Sequence, residues 1–120
     1  MSDFILHATS RNAWSAAQKS GEYVANSLAG QGFIHCSKAE QIVRVANLAF
    51  SGQHGLVLLV IDPLRLTSKL RWEPGADLAT ELFPHVYGPI NLDAVVRSLD
   101  FEPDADGQFH LPKTLEFADR

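Results

Sequence analysis

The sequence predicts an α+β fold with mixed or antiparallel sheet. Two segments with helical apolar spacing and cap residues lie in the first half of the 120 residues, and strand-like runs fill most of the second half. The apolar run Leu56–Ile61 adds a strand between the two regions.

Residues 4–9 read as a strand, with Phe4, Leu6 and Ala8 on one face and Ile5, His7 and Thr9 on the other. Ser10 or Asn12 caps the helix that follows. Ala13, Trp14 and Ala17 lie at helical spacing, and Gly21 stands at the C′ position. Residues 22–32 hold Gly30 and Gly32 without a clear period, which predicts an irregular connection. Residues 33–36 form a second short strand. Ser37-Lys38-Ala39-Glu40 then matches the capping box, in which Ser and Glu side chains satisfy orphan amides reciprocally. Ile42, Val45, Ala46 and Ala49 continue at helical spacing until Gly52 ends the helix.

Residues 56–61 run into Asp62-Pro63, a turn signal, and read as a central strand buried on both faces. Residues 69–73 alternate polar and apolar, and residues 86–87 and 94–101 are further strand candidates. Asp104-Ala105-Asp106-Gly107 predicts a turn that joins residues 99–102 to residues 109–111 as a hairpin. The tail from Pro112 is polar and is expected to fray. No repeat, linker or composition shift divides the chain, so residues 1–120 are read as one domain.

Composition bounds the function. Hydrophobic residues at 46% and charged residues at 20% are globular values. A chain of this size buries about two-thirds of the surface its unfolded form exposes. Ten Lys+Arg against fourteen Asp+Glu give a net charge of −4. That balance argues against a long nucleic acid or an anionic membrane surface as partner, since both are gripped by basic patches. The single cysteine, Cys36, excludes an intrachain disulfide and a multi-cysteine zinc site. The N-terminus has no basic n-region, and the longest apolar run is far below a membrane span. These features predict a soluble, cytoplasmic protein.

The strong local motifs are missing: there is no P-loop, G-x-G-x-x-G, G-x-S-x-G or H-E-x-x-H. Polar and aromatic residues gather instead beside strands: His7 and Thr9, His35 to Ser37, Trp72-Glu73, and residues 83–89. His7 either orients a ligand hydroxyl or carbonyl, or is a core histidine bonded to backbone. His35 lies just before a helix N-terminus, where anions are favoured, or is a second satisfied histidine. Glu73 ends a candidate strand. It either holds a ribose or a developing positive charge, or is a solvated glutamate paired with Arg71 or Lys69. Residues 83–89 (Phe-Pro-His-Val-Tyr-Gly-Pro) form either a ligand-facing loop or a rigid turn anchored by Phe83 and Tyr87. Cys36 and His35 are strand neighbours on opposite faces, so they form no dyad, and Cys36 reads as a buried thiol. The histidine spacings predict no metal site.

Together, His7-Ala8-Thr9, Trp14, Gly21-Glu22-Tyr23, Gly32-Phe33-Ile34-His35-Cys36-Ser37, Leu58-Leu59-Val60-Ile61-Asp62, Trp72-Glu73 and Phe83-Pro84-His85-Val86-Tyr87-Gly88-Pro89 resemble domain-of-unknown-function family 952. That is a family of small, mostly bacterial proteins, and the resemblance runs from about residue 4 to about residue 110. It implies an ADP-ribosyltransferase-like fold with two small split sheets around a cleft, which in active relatives holds NAD. His7-x-Thr9, the Trp14 helix and His35 also resemble the opening of RNA 2′-phosphotransferases of that fold. Those enzymes rely on several arginines, whereas here none precedes Arg11 and none adjoins His35. In transferases of the H-Y-E type, a strand histidine and a later glutamate grip the ribose while aromatic residues sandwich the nicotinamide. By that resemblance His7 matches the histidine, and Glu73 or Glu81 the glutamate.

Three functions stay open. One is an NAD-dependent transferase or hydrolase with His7 and Glu73 catalytic. Another is a non-catalytic small-molecule module, with Thr9, His35, Ser37, Trp72, His85 and Tyr87 as the ligand-binding residues of either. The third is an interaction domain whose polar residues are structural. His7, His35 and residues 83–89 are expected to line one cleft.

Overall fold

The computed structural model describes residues 4–75 and 80–118. In chain order its elements are β1 (Ile5–Ser10), α1 (Arg11–Ser20), β2 (Glu22–Tyr23), α2 (Asn26–Gln31), β3 (Ile34–His35), α3 (Ala39–Ala49) and β4 (Leu56–Ile61). A 3₁₀ turn (Pro63–Arg65) leads to β5 (Lys69–Pro74), β6 (Leu82–Tyr87) and β7 (Ile90–Asn91), and a second (Leu92–Ala94) leads to β8 (Val95–Phe101) and α4 (Lys113–Ala118). The fold is α+β. All strand pairs among the described residues are antiparallel, in the orders β1-β4-β8, β3-β6-β5 and the short β2-β7.

β4 is the central strand, and all six of its residues are buried. Leu56, Leu58 and Val60 face the layer under α3, with Leu6, Ile42 and Ala46. Val57, Leu59 and Ile61 face the opposite layer, with Ile5, Ile34 and Val86, and Trp14 of α1 packs against that side. Each such side chain contributes about 1.5–3 kcal/mol by leaving water. The β1 faces follow the predicted alternation, because Leu6 and Ala8 join the α3 layer while Ile5 joins the other. Ser10 Oγ accepts from the Ala13 amide at 3.0 Å, which starts α1. Gly21, at φ 98°, closes it, since a Cβ would oppose that left-handed turn.

Several expectations are corrected. Residues 22–32 hold β2 and α2 rather than an irregular connection. No α2 residue is buried, so the helix carries no apolar period. The second long helix is not opened by a Ser37–Glu40 box. Ser37 is held in extended backbone by a bridge to Leu6, with N–H to O=C distances of 2.7 and 2.8 Å. The helix therefore begins one residue later, where Gln41 Oε1 accepts from the Lys38 amide at 2.9 Å. It ends at Ala49, before Gly52.

Residues 86–87 are strand as expected, but residues 83–85 are not loop or turn and lie with them in β6, the middle strand of its sheet. Pro84 is tolerated there because its amide-less side meets Cys36, just where β3 leaves the ladder. The Cys36 amide still donates to the Pro84 carbonyl at 3.0 Å. Residues 109–111 form no second hairpin strand. Asn47 takes the partner's place, accepting from the Phe109 amide at 2.7 Å, and Phe109 packs on Phe101. Beyond Pro112 the chain forms α4, with Leu115 buried. No helix among the described residues is long and apolar enough to cross a membrane.

Candidate functional site

The β1 and β3 segments are joined by one bridge, Leu6 to Ser37. A cleft of about 440 Å³ opens beside it, between α3 and the sheet face that carries His35, Phe83 and His85. Leu6, His7, Ala8 and Ser37 also line it. Val45, Leu48 and Ala49 of α3 supply an apolar wall, and Leu48 is 68% exposed. This is a second apolar stripe on α3, beside the Ile42–Ala46 stripe that packs into the core.

The β5–β6 register puts Glu73 opposite Phe83 and Arg71 opposite His85. Strand alternation then sets Arg71, Glu73, Phe83, His85 and Tyr87 on one face, and Trp72 with Pro84 on the other. Glu73 Oε1 accepts from His85 Nδ1 at 2.9 Å and from the Tyr87 hydroxyl at 2.5 Å. These two bonds, the Tyr87 bond first, hold the Glu73 carboxyl below its usual range. The same pairing raises the Tyr87 phenol. Phe33 stacks on the His85 ring at 4.1 Å, and the His35 ring meets it edge-on at 5.5 Å. His35 Nε2 donates to Gln31 Oε1 at 2.6 Å, and burial, followed by the neighbouring His85, lowers its pKa.

His7 belongs to a different network. Its Nδ1 lies 2.5 Å from the His35 carbonyl, its Nε2 lies 2.8 Å from the Tyr23 hydroxyl, and that hydroxyl is 2.9 Å from Thr9 Oγ1. Burial lowers the His7 pKa to about 4, so the ring is neutral at physiological pH. A carbonyl only accepts, which assigns the single ring proton to Nδ1. Nε2 then accepts from Tyr23, and the freely rotating Thr9 hydroxyl donates to Tyr23. Both ring nitrogens are thus used inside the protein, pinning β3 to β1.

Of the residues the sequence singled out, His7, His35, Ser37 and His85 line the cleft, and Phe83 joins them. Glu73 and Tyr87 stand behind His85, and Thr9 behind Tyr23. Trp72 is 45% exposed on the opposite sheet face. Glu81 is drawn away by Arg44 at 2.6 Å and Gln41 at 2.8 Å. Cys36 is buried, and burial pushes its thiol up to about 12, which leaves it unreactive. Among the described residues, no three His, Cys, Asp or Glu side chains cluster to hold a metal ion. Sequence reasoning gave no role to Tyr23, Gln31 or Phe33. The one local signal was an aromatic residue one or two positions after a glycine, in Gly21-Glu22-Tyr23 and Gly32-Phe33.

A family model described as a protein of unknown function, DUF952, matches residues 8–98. The chain is similar to protein CC0527 from Caulobacter crescentus. The crystal structure of that protein gives a TM-score of 0.84 at 36% identity, covering 95% of this chain and 99% of that one. Its solution NMR structure gives 0.79 at 36% identity, covering 92% and 95%. No curated protein matches the chain. The family match and the likeness to CC0527 establish that the chain belongs to the DUF952 family of proteins of unknown function.

Proposed function

We propose that the protein binds a flat, polar small molecule of the nucleotide class in the cleft between α3 and the β3-β6-β5 sheet, with NAD as the first candidate. One observation carries this reading: a concave space of about 440 Å³ with mostly apolar walls has a few polar side chains, His7, His35, Ser37, Arg44 and His85, among the residues that line it. Ligand sites have that composition. The volume suits the nicotinamide and ribose end of a dinucleotide. The Phe83 ring offers a flat face, and Arg44, which also pairs with Glu81, is the cation among the lining residues for a phosphate to meet.

The ADP-ribosyltransferase-like architecture belongs to the same proposal. In its favour, two three-stranded sheets diverge from the single Leu6–Ser37 bridge, and the cleft opens beside that split. A second reading, transfer or hydrolysis of ADP-ribose, is favoured by Glu73, a carboxylate kept ionised on the sheet face that carries His85. The setting we infer is cytoplasmic, in keeping with a lone buried thiol.

Calorimetric titration with NAD, ADP-ribose and nicotinamide tests binding, and nicotinamide release tests turnover. Binding of at least one of the three is expected, weakened at least tenfold by a cleft-filling Ala49→Trp substitution, roughly a 1.4 kcal/mol loss. If the wild type binds none of them, the nucleotide reading is lost. Turnover that persists at full rate in Glu73→Gln removes that residue from the chemistry.

A further inference from the structure

We infer that His85 is the proton-accepting group of the cleft, held for that task by Glu73 and Tyr87 as positioning residues. The inference rests on the proposed function only in taking the cleft as the place where a ligand sits.

A carboxylate can only accept, so the Glu73 contact fixes the imidazole proton on Nδ1. In the neutral ring Nε2 is then a bare lone pair. His85 is only 4% exposed, yet Nε2 has no hydrogen-bond partner among the described residues. No buried side-chain nitrogen or oxygen of those residues lacks a partner, so Nε2 keeps contact with open space. For a residue this enclosed, that space is the cleft it lines.

The ring is held on three sides. Phe33 covers one face, His35 meets it edge-on, and Glu73 grips Nδ1 while Tyr87 grips Glu73. A carboxylate that orients an imidazole and stabilises its protonated form is the arrangement that makes a general base. His7 is unsuited to that role because both its nitrogens are engaged.

The ligand class follows from the same protons. His35 spends its Nε2 proton on Gln31, so the two histidines together offer acceptors rather than donors. The site therefore fits a molecule that presents a hydroxyl or amide N–H, or a bound water. In a hydrolytic or transfer step, Nε2 takes the proton of that hydroxyl or water, and the oxygen pair forms the new bond to the electrophilic centre. The bond to the leaving group breaks with its electron pair. The proton then passes from Nε2 to the leaving group or to solvent, which restores neutral imidazole.

The test is acylation of the folded wild-type protein by diethyl pyrocarbonate, whose carbonyl carbon is attacked by bare imidazole nitrogen, read histidine by histidine by mass spectrometry. A ¹⁵N spectrum of the ring nitrogens accompanies it. The expected result is an Nδ1-protonated His85 that is acylated on the same timescale as the exposed His54 and His110. Its rate should fall about tenfold in Glu73→Gln, with a smaller fall in Tyr87→Phe. Folding of both variants is checked in the same spectra. A His85 that stays unmodified after His54 and His110 have reacted fully, or that carries its proton on Nε2, overturns the proposal. So does an unchanged His85 rate in folded Glu73→Gln. Acylation reads the nitrogen and calorimetry reads the ligand, so a protein that reacts at His85 and binds no nucleotide loses only the nucleotide reading.

Discussion

Two of the three cleft histidines have opposite fates. His85 is oriented by a charge and left with an open nitrogen, whereas His7 is neutral and fully bonded. That difference gives His7 a pH signature. The unfolded chain takes up its proton near 6.5, but the folded chain only near about 4, because burial opposes the charge. Between those values the unfolded state binds more protons, so stability rises with pH. The His7 contribution is complete above 6.5 and is lost as pH falls toward about 4. Its ceiling is about 3 kcal/mol, lowered by the solvent contact the ring retains. The depressed carboxyls of Glu73 and Glu81 act in the same direction further down, as pH falls through their folded values. Urea midpoints measured across this range should decline with acid, and His7→Gln should flatten the upper part of the decline. A variant curve parallel to wild type would assign the effect to another group.

At the scale of elements, the start of α3 shows how one tertiary contact moves a cap. Ser37 has the right chemistry, but its backbone is committed to Leu6. The buried Gln41, 1% exposed, then caps Lys38 and also donates from Nε2 to the Leu82 carbonyl at 2.9 Å and to Glu81. One side chain thus ties α3 to β6 at the edge of the cleft. Gln41→Ala should cost about 2 kcal/mol, because it strands the part-buried Leu82 carbonyl and the Lys38 amide at the helix start. Ser37→Ala should cost less than about 0.5 kcal/mol. Denaturant midpoints decide between them, and the reverse ranking would restore the Ser37 cap. In β6, a proline beside a histidine looks like a loop in the sequence. It is a strand in the fold because the side of Pro84 that lacks a donor meets the end of β3.

For the whole molecule, β4 is shared by both apolar layers, so they should unfold together. Leu58 belongs to the α3 layer and Leu59 to the layer that Trp14 packs against, and both are fully buried. Leu58→Ala and Leu59→Ala should each cost about 2–5 kcal/mol, transfer and cavity terms combined. In a Trp72→Phe background, Trp14 fluorescence and far-ultraviolet dichroism should trace coincident urea transitions in both variants. Separate transitions would mean that the layers are independent units.

What the sequence determined by itself is local. The six-residue apolar run made β4 a doubly buried strand, Ser10 and Gly21 bounded α1, and the alternation from Lys69 to Glu73 marked β5. Each of these signals is spread over a few neighbouring residues, so period and cap chemistry read it directly. The cleft was legible only as a set of residue types. That His7 faces Tyr23 and Thr9, that His35 meets His85, and that Glu73 holds His85 were decided by tertiary placement and strand pairing across 12 to 50 positions. A slip of one residue in the β5–β6 register would send Glu73 to the face opposite His85 and leave local composition and periodicity unchanged. Register is fixed by burying Ile34, Leu70 and Val86 against β4, a requirement of packing between distant segments that no stretch of neighbouring residues carries alone.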